Sequence, residues 1–244
     1  MRGGKIGEQL VDNVASAWAW ASATIAETAF PRRCAGCGRR GVWVCNDCDE
    51  QVKRFRQPWC NRCGTPVSSR TCRCDELPEE IAQFRAVAAY EGWLRAAIVS
   101  LKYGEETARA DHLAGLVSPL MDTLDRWDWI VPVPLHASRH RDRGFNQADL
   151  LARGATSDRD RVVTALIRRT RATPRQVGLD AVARRQNMQG AFEVVDPRVV
   201  SGKRIVLIDD VMTTGSTLQH CAIVLLDAGA ASVSAVTLAV GGLN

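Results

Sequence analysis

Ile205-Val206-Leu207-Ile208-Asp209-Asp210-Val211-Met212-Thr213-Thr214-Gly215-Ser216-Thr217 is the stretch whose reading decides the fold. Its first four residues are apolar and mostly β-branched, the pattern of a strand covered on both faces of a parallel sheet. The strand is predicted to end at Asp209 and Asp210. Adjacent carboxylates repel and lose hydration there, so they are best tolerated where something outside the strand supplies cations or hydroxyl donors. Beyond Val211 and Met212, Gly215 permits a tight backbone, and N–H groups and hydroxyls of residues 213–217 can converge on an anion. A helix starting near Ser216 adds its N-terminal partial positive charge. An Asp-rich turn followed by a Ser/Thr helix cap would explain one acid and one hydroxyl, but not the whole run. A sugar that offers hydroxyls to the acids and a phosphate to the loop fits all of it, and the run looks like a phosphoribosyl pyrophosphate site.

Outward from this run, strands are predicted at 86–90, 130–133, 162–167 and 233–239, and helices at 94–102, 111–124, 146–152 and 218–228. Pro132 and Pro134 keep the second strand short, because proline is poor in a central ladder. Strands alternating with helices predict an α/β fold with a mainly parallel twisted sheet. Ligands of such sheets bind at the carboxyl ends of the strands, where the Asp-Asp run lies.

The chain has 244 residues, of which 46% are hydrophobic, enough for one substantial domain plus a small module, and this excludes a disordered protein. Its +5 net charge is carried almost wholly by arginine, since lysine occurs only at positions 5, 53, 102 and 203. Arginine suits bidentate phosphate recognition. Residues 136–185 hold twelve arginines against five aspartates, with neither lysine nor glutamate. Within that segment Arg139, His140, Arg141 and Arg143 are expected in a loop after the second strand, where cationic groups would meet the charge that grows on departing pyrophosphate. Lys102, at a helix end, is a further candidate for anion contact. Residues 166–192 form a long basic stretch between strand candidates, read as a mobile cover with Arg184, Arg185 and Asn187 able to reach ligand. Mg2+ is expected to accompany the diphosphate oxygens. His112, His136, His140 and His220 lack zinc-ligand spacing.

Eight of nine cysteines fall as Cys34-x2-Cys37, Cys45-x2-Cys48, Cys60-x2-Cys63 and Cys72-x-Cys74. Such spacing indicates thiolate metal knuckles, and eight sulfurs make two closed, structural Zn2+ sites. The sequential pairing puts Cys34, Cys37, Cys45 and Cys48 on one ion and Cys60, Cys63, Cys72 and Cys74 on the other; a crossed arrangement stays open. Cys221 is read as a small core residue. The organisation expected is an N-terminal amphipathic helix over 1–30, a cysteine module over 31–78 and the α/β domain over 79–244. Residues 13–26 are uncharged but too short to span a bilayer, so no stable membrane insertion is expected.

The Asp-Asp run resembles the phosphoribosyl pyrophosphate motif of type I phosphoribosyltransferases. The order FPRRCAGC (30–37), LKYG (101–104), VPVPLHASRHRDRGFNQADLLAR (131–153), RQNMQGAF (185–192) and VLIDDVMTTGST (206–217), with the CxxC repeats, resembles the ComF family over nearly the whole chain. That resemblance implies a double zinc-ribbon module ahead of a type I phosphoribosyltransferase sheet, with Asp209 and Asp210 on the ribose and residues 213–217 on the 5′-phosphate. It implies a cytoplasmic bacterial protein linked to DNA uptake, with single-stranded DNA and DNA-uptake proteins as partners. The expected reaction moves phosphoribosyl to an acceptor the sequence does not name. The alternative is a non-catalytic protein that binds single strands through the zinc module and arginine-rich loops, with Trp43 and Trp59 as stacking platforms.

Overall fold

A computed structural model describes residues 31–69, 72–103, 108–170 and 190–242. The N-terminal helix expected over 1–30, and Arg184, Arg185 and Asn187 of the expected cover, lie outside the described residues.

Four parallel strands form the main sheet: β1 (Phe84–Ala89), β2 (Trp129–Pro132), β5 (Arg204–Met212) and β6 (Ser232–Val240), in the order β1-β6-β5-β2. β5 is interior, in register Ile205↔Val233 and Ile208↔Val236 with β6 and Ile205↔Trp129 with β2. The apolar run placed it there, since only a doubly covered strand tolerates four consecutive apolar side chains. β2, with its proline, takes an edge, where a missing N–H costs no ladder bond.

Two layers cover the faces. Helices α2 (Gly92–Tyr103), α3 (Arg109–Met121) and α5 (Gln147–Gly154) pack on the side of Val206, Ile208 and Val236. A Cβ on Gly154 would lie 2.4 Å from the Ala114 Cβ, so only glycine allows α5 this close to α3. Helix α7 (Ser216–Asp227), which follows the one-turn α6 (Pro197–Val200), covers the opposite side through Leu218, Cys221 and Leu225, next to Ile205 and Leu207. Cys221 is fully buried there, as the sequence suggests.

Several expectations need correction. β5 does not stop at Asp209 but continues to Met212, because β6 goes on pairing with Val211 and Met212. Arg139, His140, Arg141 and Arg143 sit not in a loop but in helix α4 (Ala137–Arg143), which His136 caps by accepting the Ser138 N–H and left-handed Gly144 ends. The strand expected at 162–167 is displaced: β3 (Ile167–Arg169) pairs antiparallel with β4 (Phe192–Val194), and Val162 makes only an isolated bridge to Ile130. Helix α3 starts before the expected residue 111 and ends at Met121, with Pro119 inside its last turn.

The cysteine-rich region, with its short α-helix α1 (Asn46–Asp49) and a 3-10 turn at Cys74–Glu76, lies along the outer edge of β1. Phe55 N–H donates to the Val87 carbonyl at 2.9 Å, Ala89 N–H to Lys53 at 3.2 Å, and Phe84 N–H to Arg62 at 2.7 Å. An exposed parallel edge would otherwise present unpaired backbone groups. Two buried arginines fasten the join. Arg85, the second residue of β1, is 1% exposed. It donates to the Asn61 carbonyl at 2.9 Å, to Asn61 Oδ1 at 3.2 Å and to the Thr123 carbonyl at 3.3 Å, with its guanidinium over Trp59. Arg109, 3% exposed, donates to the Trp43 carbonyl at 3.3 Å and the Arg33 carbonyl at 3.2 Å, over the Trp43 ring.

Candidate functional site

At the carboxyl end of β5 the two acids point to opposite faces, as successive strand residues must. Asp210 is 4% exposed, and Lys102, in the last turn of α2, places its Nζ 2.9 Å from Asp210 Oδ2. Lys102 therefore meets a carboxylate directly, beside the position where an anion was expected. Asp209 turns on the other side, its Oδ1 accepting the Asp210 N–H at 2.8 Å. Burial and the neighbouring Asp210 charge push Asp209 up to about 7, although Lys102 and Arg169 pull the other way. Asp209 therefore holds its proton more tightly than usual even with Lys102 and Arg169 nearby, a crowding of carboxylates suited to hydroxyl donors or a cation arriving with a ligand.

After Met212, which is buried, Thr213 and Thr214 are exposed. Gly215 takes φ 73°, a left-handed conformation costly for other residues, and a Cβ there would lie 3.1 Å from the Pro78 ring. The Thr214 and Ser216 hydroxyls are 2.9 Å apart, and α7 begins at Ser216, with Thr217 in its first turn. The twelve-residue helix thus starts directly behind the hydroxyl cluster, which gives an anion-binding arrangement.

Cations approach from α4 and β3. Arg139 and Arg141 are exposed, while Arg143 donates to Gln147 Oε1 at 3.1 Å and lies 5.2 Å over the ring of Tyr103, the neighbour of Lys102. Sequence reasoning missed Arg169. Burial lowers its pKa, with Arg139 acting in the same direction, while Cys221 and Asp209 raise it, and its guanidinium sits 5.2 Å over Phe192. Arg139, Arg169 and Asp209 therefore share one electrostatic neighbourhood. Strand alternation carries the signal: Ile167 is buried, Arg168 exposed, and Arg169 returns to the inner face.

The eight spaced cysteines gather sequentially into Cys34, Cys37, Cys45, Cys48 and Cys60, Cys63, Cys72, Cys74, each set with its sulfurs within 4.8 Å of one another. The crossed pairing is thereby set aside, and among the described residues every cysteine is free of disulfides. Sγ separations are 3.7 Å for Cys34–Cys45 and Cys37–Cys45, 3.5 Å for Cys60–Cys74 and 3.4 Å for Cys63–Cys72. Tetrahedral Zn–S bonds of about 2.3 Å put sulfurs roughly 3.8 Å apart, so both sets fit zinc. Without a cation the thiols oppose one another's ionisation. Burial notwithstanding, backbone donors draw Cys34 down to about 6, whereas hydrogen bonding to Cys45 and burial push Cys48 up to about 12. The second set repeats the split, with Cys60 at about 6 and Cys74 at about 12.

Residues 25–79 match the double zinc ribbon domain, and residues 142–242 match the phosphoribosyl transferase domain. The chain is 36% identical over 209 residues to the DNA utilization protein YhgH of Escherichia coli O157:H7, covering 79% of this chain and 88% of that one. It is 32% identical to Competence protein F of Haemophilus influenzae, over 72% and 81% of the two chains. The chain belongs to the ComF family. Competence protein ComFC of Bacillus subtilis is 29% identical over 80% of this chain and 83% of that one. Among solved structures, "Structure of the allosteric regulatory enzyme of purine biosynthesis" aligns with TM-score 0.38 and 20% identity, over 57% of this chain and 29% of that one.

In this ComF protein the two tryptophans offered as stacking platforms, Trp43 and Trp59, lie where the zinc module meets the sheet. Each is half-buried and has one ring face covered by an arginine, Trp43 by Arg109 and Trp59 by Arg85. They build the join between zinc module and sheet. No helix among the described residues is long and apolar enough to cross a membrane.

Proposed function

We propose that this chain binds phosphoribosyl pyrophosphate with Mg2+ at the carboxyl end of β5 and transfers the phosphoribosyl group to an acceptor, releasing pyrophosphate. The observation that carries this is the crowding of Asp209 and Asp210 directly before a hydroxyl-rich loop at a helix start. The carboxylates would hold the ribose hydroxyls and stabilise the anomeric carbon as it becomes cationic. N–H groups and hydroxyls of residues 213–217, with the start of α7, would hold the 5′-phosphate. Arg139, Arg141, Arg143 and Arg169 would meet the charge gathering on the leaving pyrophosphate, an interaction that strengthens only as the bond breaks. Bound Mg2+ would supply neutralisation of the diphosphate oxygens, which are hard ligands of the kind it prefers. The names of the relatives, DNA utilization protein and competence protein, support a role linked to DNA; in this reading the protein works in the cytoplasm with single-stranded DNA as partner.

Calorimetric titration of the full zinc-loaded chain with phosphoribosyl pyrophosphate and Mg2+ tests the ligand. Saturable heat is expected for the native chain, and none for the Asp209→Asn/Asp210→Asn double variant. Equal affinity in the two proteins would overturn the assignment.

A further inference from the structure

The two thiol sets are sheltered unequally. Cys34 and Cys45 of the first are buried and only Cys37 is exposed, whereas in the second only Cys63 is buried and Cys72 is exposed beside the half-buried Cys74. The spacing differs as well, Cys72-x-Cys74 against pairs with two residues between them. The shorter link brings Cys72 Sγ to 3.3 Å from Cys74 Sγ, closer than the 3.7 Å between exposed Cys37 and buried Cys45. An oxidant arriving from solvent therefore meets, in the second set, an accessible thiolate with a resolving thiolate next to it. In the first set the exposed thiolate faces one held in the core.

The chain beyond Cys74 runs to the hydroxyl-rich loop after β5. Cys74 opens the 3-10 turn that ends at Glu76. Arg62, from the same knuckle, clamps this stretch: its Nη1 donates to the Cys74 carbonyl at 2.8 Å and its Nη2 to the Pro78 carbonyl at 3.3 Å. Leu77 is buried, and the Pro78 ring sits against Gly215. Glu80 accepts from Gln219 Nε2 at 3.1 Å, and the Gln219 N–H donates to the Gly215 carbonyl at 2.9 Å. Ile81 is fully buried, and the Ala82 N–H donates to the Val233 carbonyl at 2.8 Å. Residues 74–82 are thus a strap from a metal-spaced thiol to the loop and first turn of α7. Because Arg62 holds both Cys74 and Pro78, a displacement at the thiol is carried to Gly215.

We propose that Cys72 and Cys74 form an oxidation site, closed to a disulfide by a peroxide, and that this modification loosens the loop and weakens binding of phosphoribosyl pyrophosphate. The ligand part of the inference rests on the phosphoribosyl pyrophosphate reading. The Cys72 thiolate attacks one peroxide oxygen, the oxygen–oxygen bond breaks, and hydroxide leaves, which makes Cys72 a sulfenic acid. The Cys74 thiolate then attacks the Cys72 sulfur, the sulfur–sulfur bond forms, the sulfur–oxygen bond breaks, and a second hydroxide leaves. The two thiolates lose two electrons to the peroxide, and each hydroxide takes a proton from solvent to become water. Cys60 and Cys63 remain, two sulfurs where a closed tetrahedral site needs four ligands. Cys74 is drawn toward Cys72 and away from its place under Arg62, and the strap carries that shift to Pro78 and Gly215.

The test treats the full zinc-loaded chain with limiting hydrogen peroxide. Peptide mass mapping locates the disulfide, a chromogenic chelator counts the zinc set free, and amide hydrogen exchange follows Gln219 and Ala82. Calorimetry with phosphoribosyl pyrophosphate and Mg2+ is run before oxidation, after it, and after a trialkylphosphine and Zn2+ are added back. A Cys72–Cys74 disulfide, one zinc released per chain and faster exchange at both amides are expected, with affinity lower by about tenfold and restored on reduction. Glu80→Ala, which cuts the strap and leaves both thiol sets intact, is expected to weaken the ligand in the same direction with zinc content unchanged. A disulfide at another pair, or a Cys72–Cys74 disulfide that alters neither exchange nor affinity, overturns the inference. The same disulfide with faster Gln219 exchange, in a chain that never binds phosphoribosyl pyrophosphate, keeps the oxidation site and its coupling to the loop and overturns the ligand assignment instead.

Discussion

The join between zinc module and sheet and the carboxyl end of β5 are both crowded with charge, yet they treat it in opposite ways. At the join, the Arg85 and Arg109 guanidinium groups are almost completely buried and are met by carbonyl oxygens, an amide and aromatic faces. Four thiolates around a dication carry a net negative charge, and the second set contributes favourably to the Arg85 charge through Cys60 and Cys63. At the end of β5, two adjacent carboxylates crowd each other despite Lys102 and Arg169, and Arg139 and Arg141 lie exposed. Charge met by acceptors within the protein is architecture; like charges crowded at a strand end mark a candidate site.

The largest effect on this contrast should come from metal removal. Structural zinc contributes on the order of 10 kcal/mol to folding of such modules. Chelation, or Cys60→Ser, is expected to release the module, and hydrogen exchange should then show the Phe84 and Ala89 amides losing protection while those of β5 keep theirs. Persistent protection of β1 would show that the sheet edge does not depend on the module.

Next in size is Arg85→Ala, which strips a buried cation from the Asn61 and Thr123 acceptors and should cost about 3 kcal/mol in denaturant unfolding. A loss as small as that of a surface arginine would mean the join is not internally balanced.

The smallest effect has the opposite sign. Asp209, about 7 in the folded chain, lies above the ordinary aspartate value of about 4, so the folded state holds its proton more tightly. Its contribution is fully favourable below about pH 4 and is lost as pH rises through about 7. Asp209→Asn should therefore stabilise the ligand-free chain by on the order of 2 kcal/mol at pH 8 and change little at pH 4, as thermal melts at the two pH values would report. Destabilisation at pH 8 would mean that the carboxylate is balanced after all.

Much of this was legible in sequence because its signals are short in range. The β5 run, its turn glycine and the cysteine spacings each encode a local geometry that needs few distant partners. Boundaries failed where pairing or capping decided them. The Asp-Asp strand runs on because β6 accompanies it, and the arginine loop is a helix because His136 caps it. Arg85 and Arg169 were overlooked for a related reason: an arginine on a strand gives no sign of whether its inner face meets acceptors, an aromatic ring or solvent.

The sequence by itself determined the α/β class, the interior strand, the Asp-Asp and hydroxyl run, and eight metal-spaced thiols, since these depend on patterns a few residues long. Only the tertiary structure decided that Lys102 meets Asp210, that Arg169 approaches Asp209, that the cysteines pair sequentially, and that the zinc module closes the β1 edge and sets Pro78 against Gly215. Each of these joins side chains far apart in the chain, and such neighbours are chosen by the docking of whole elements and not by local propensity.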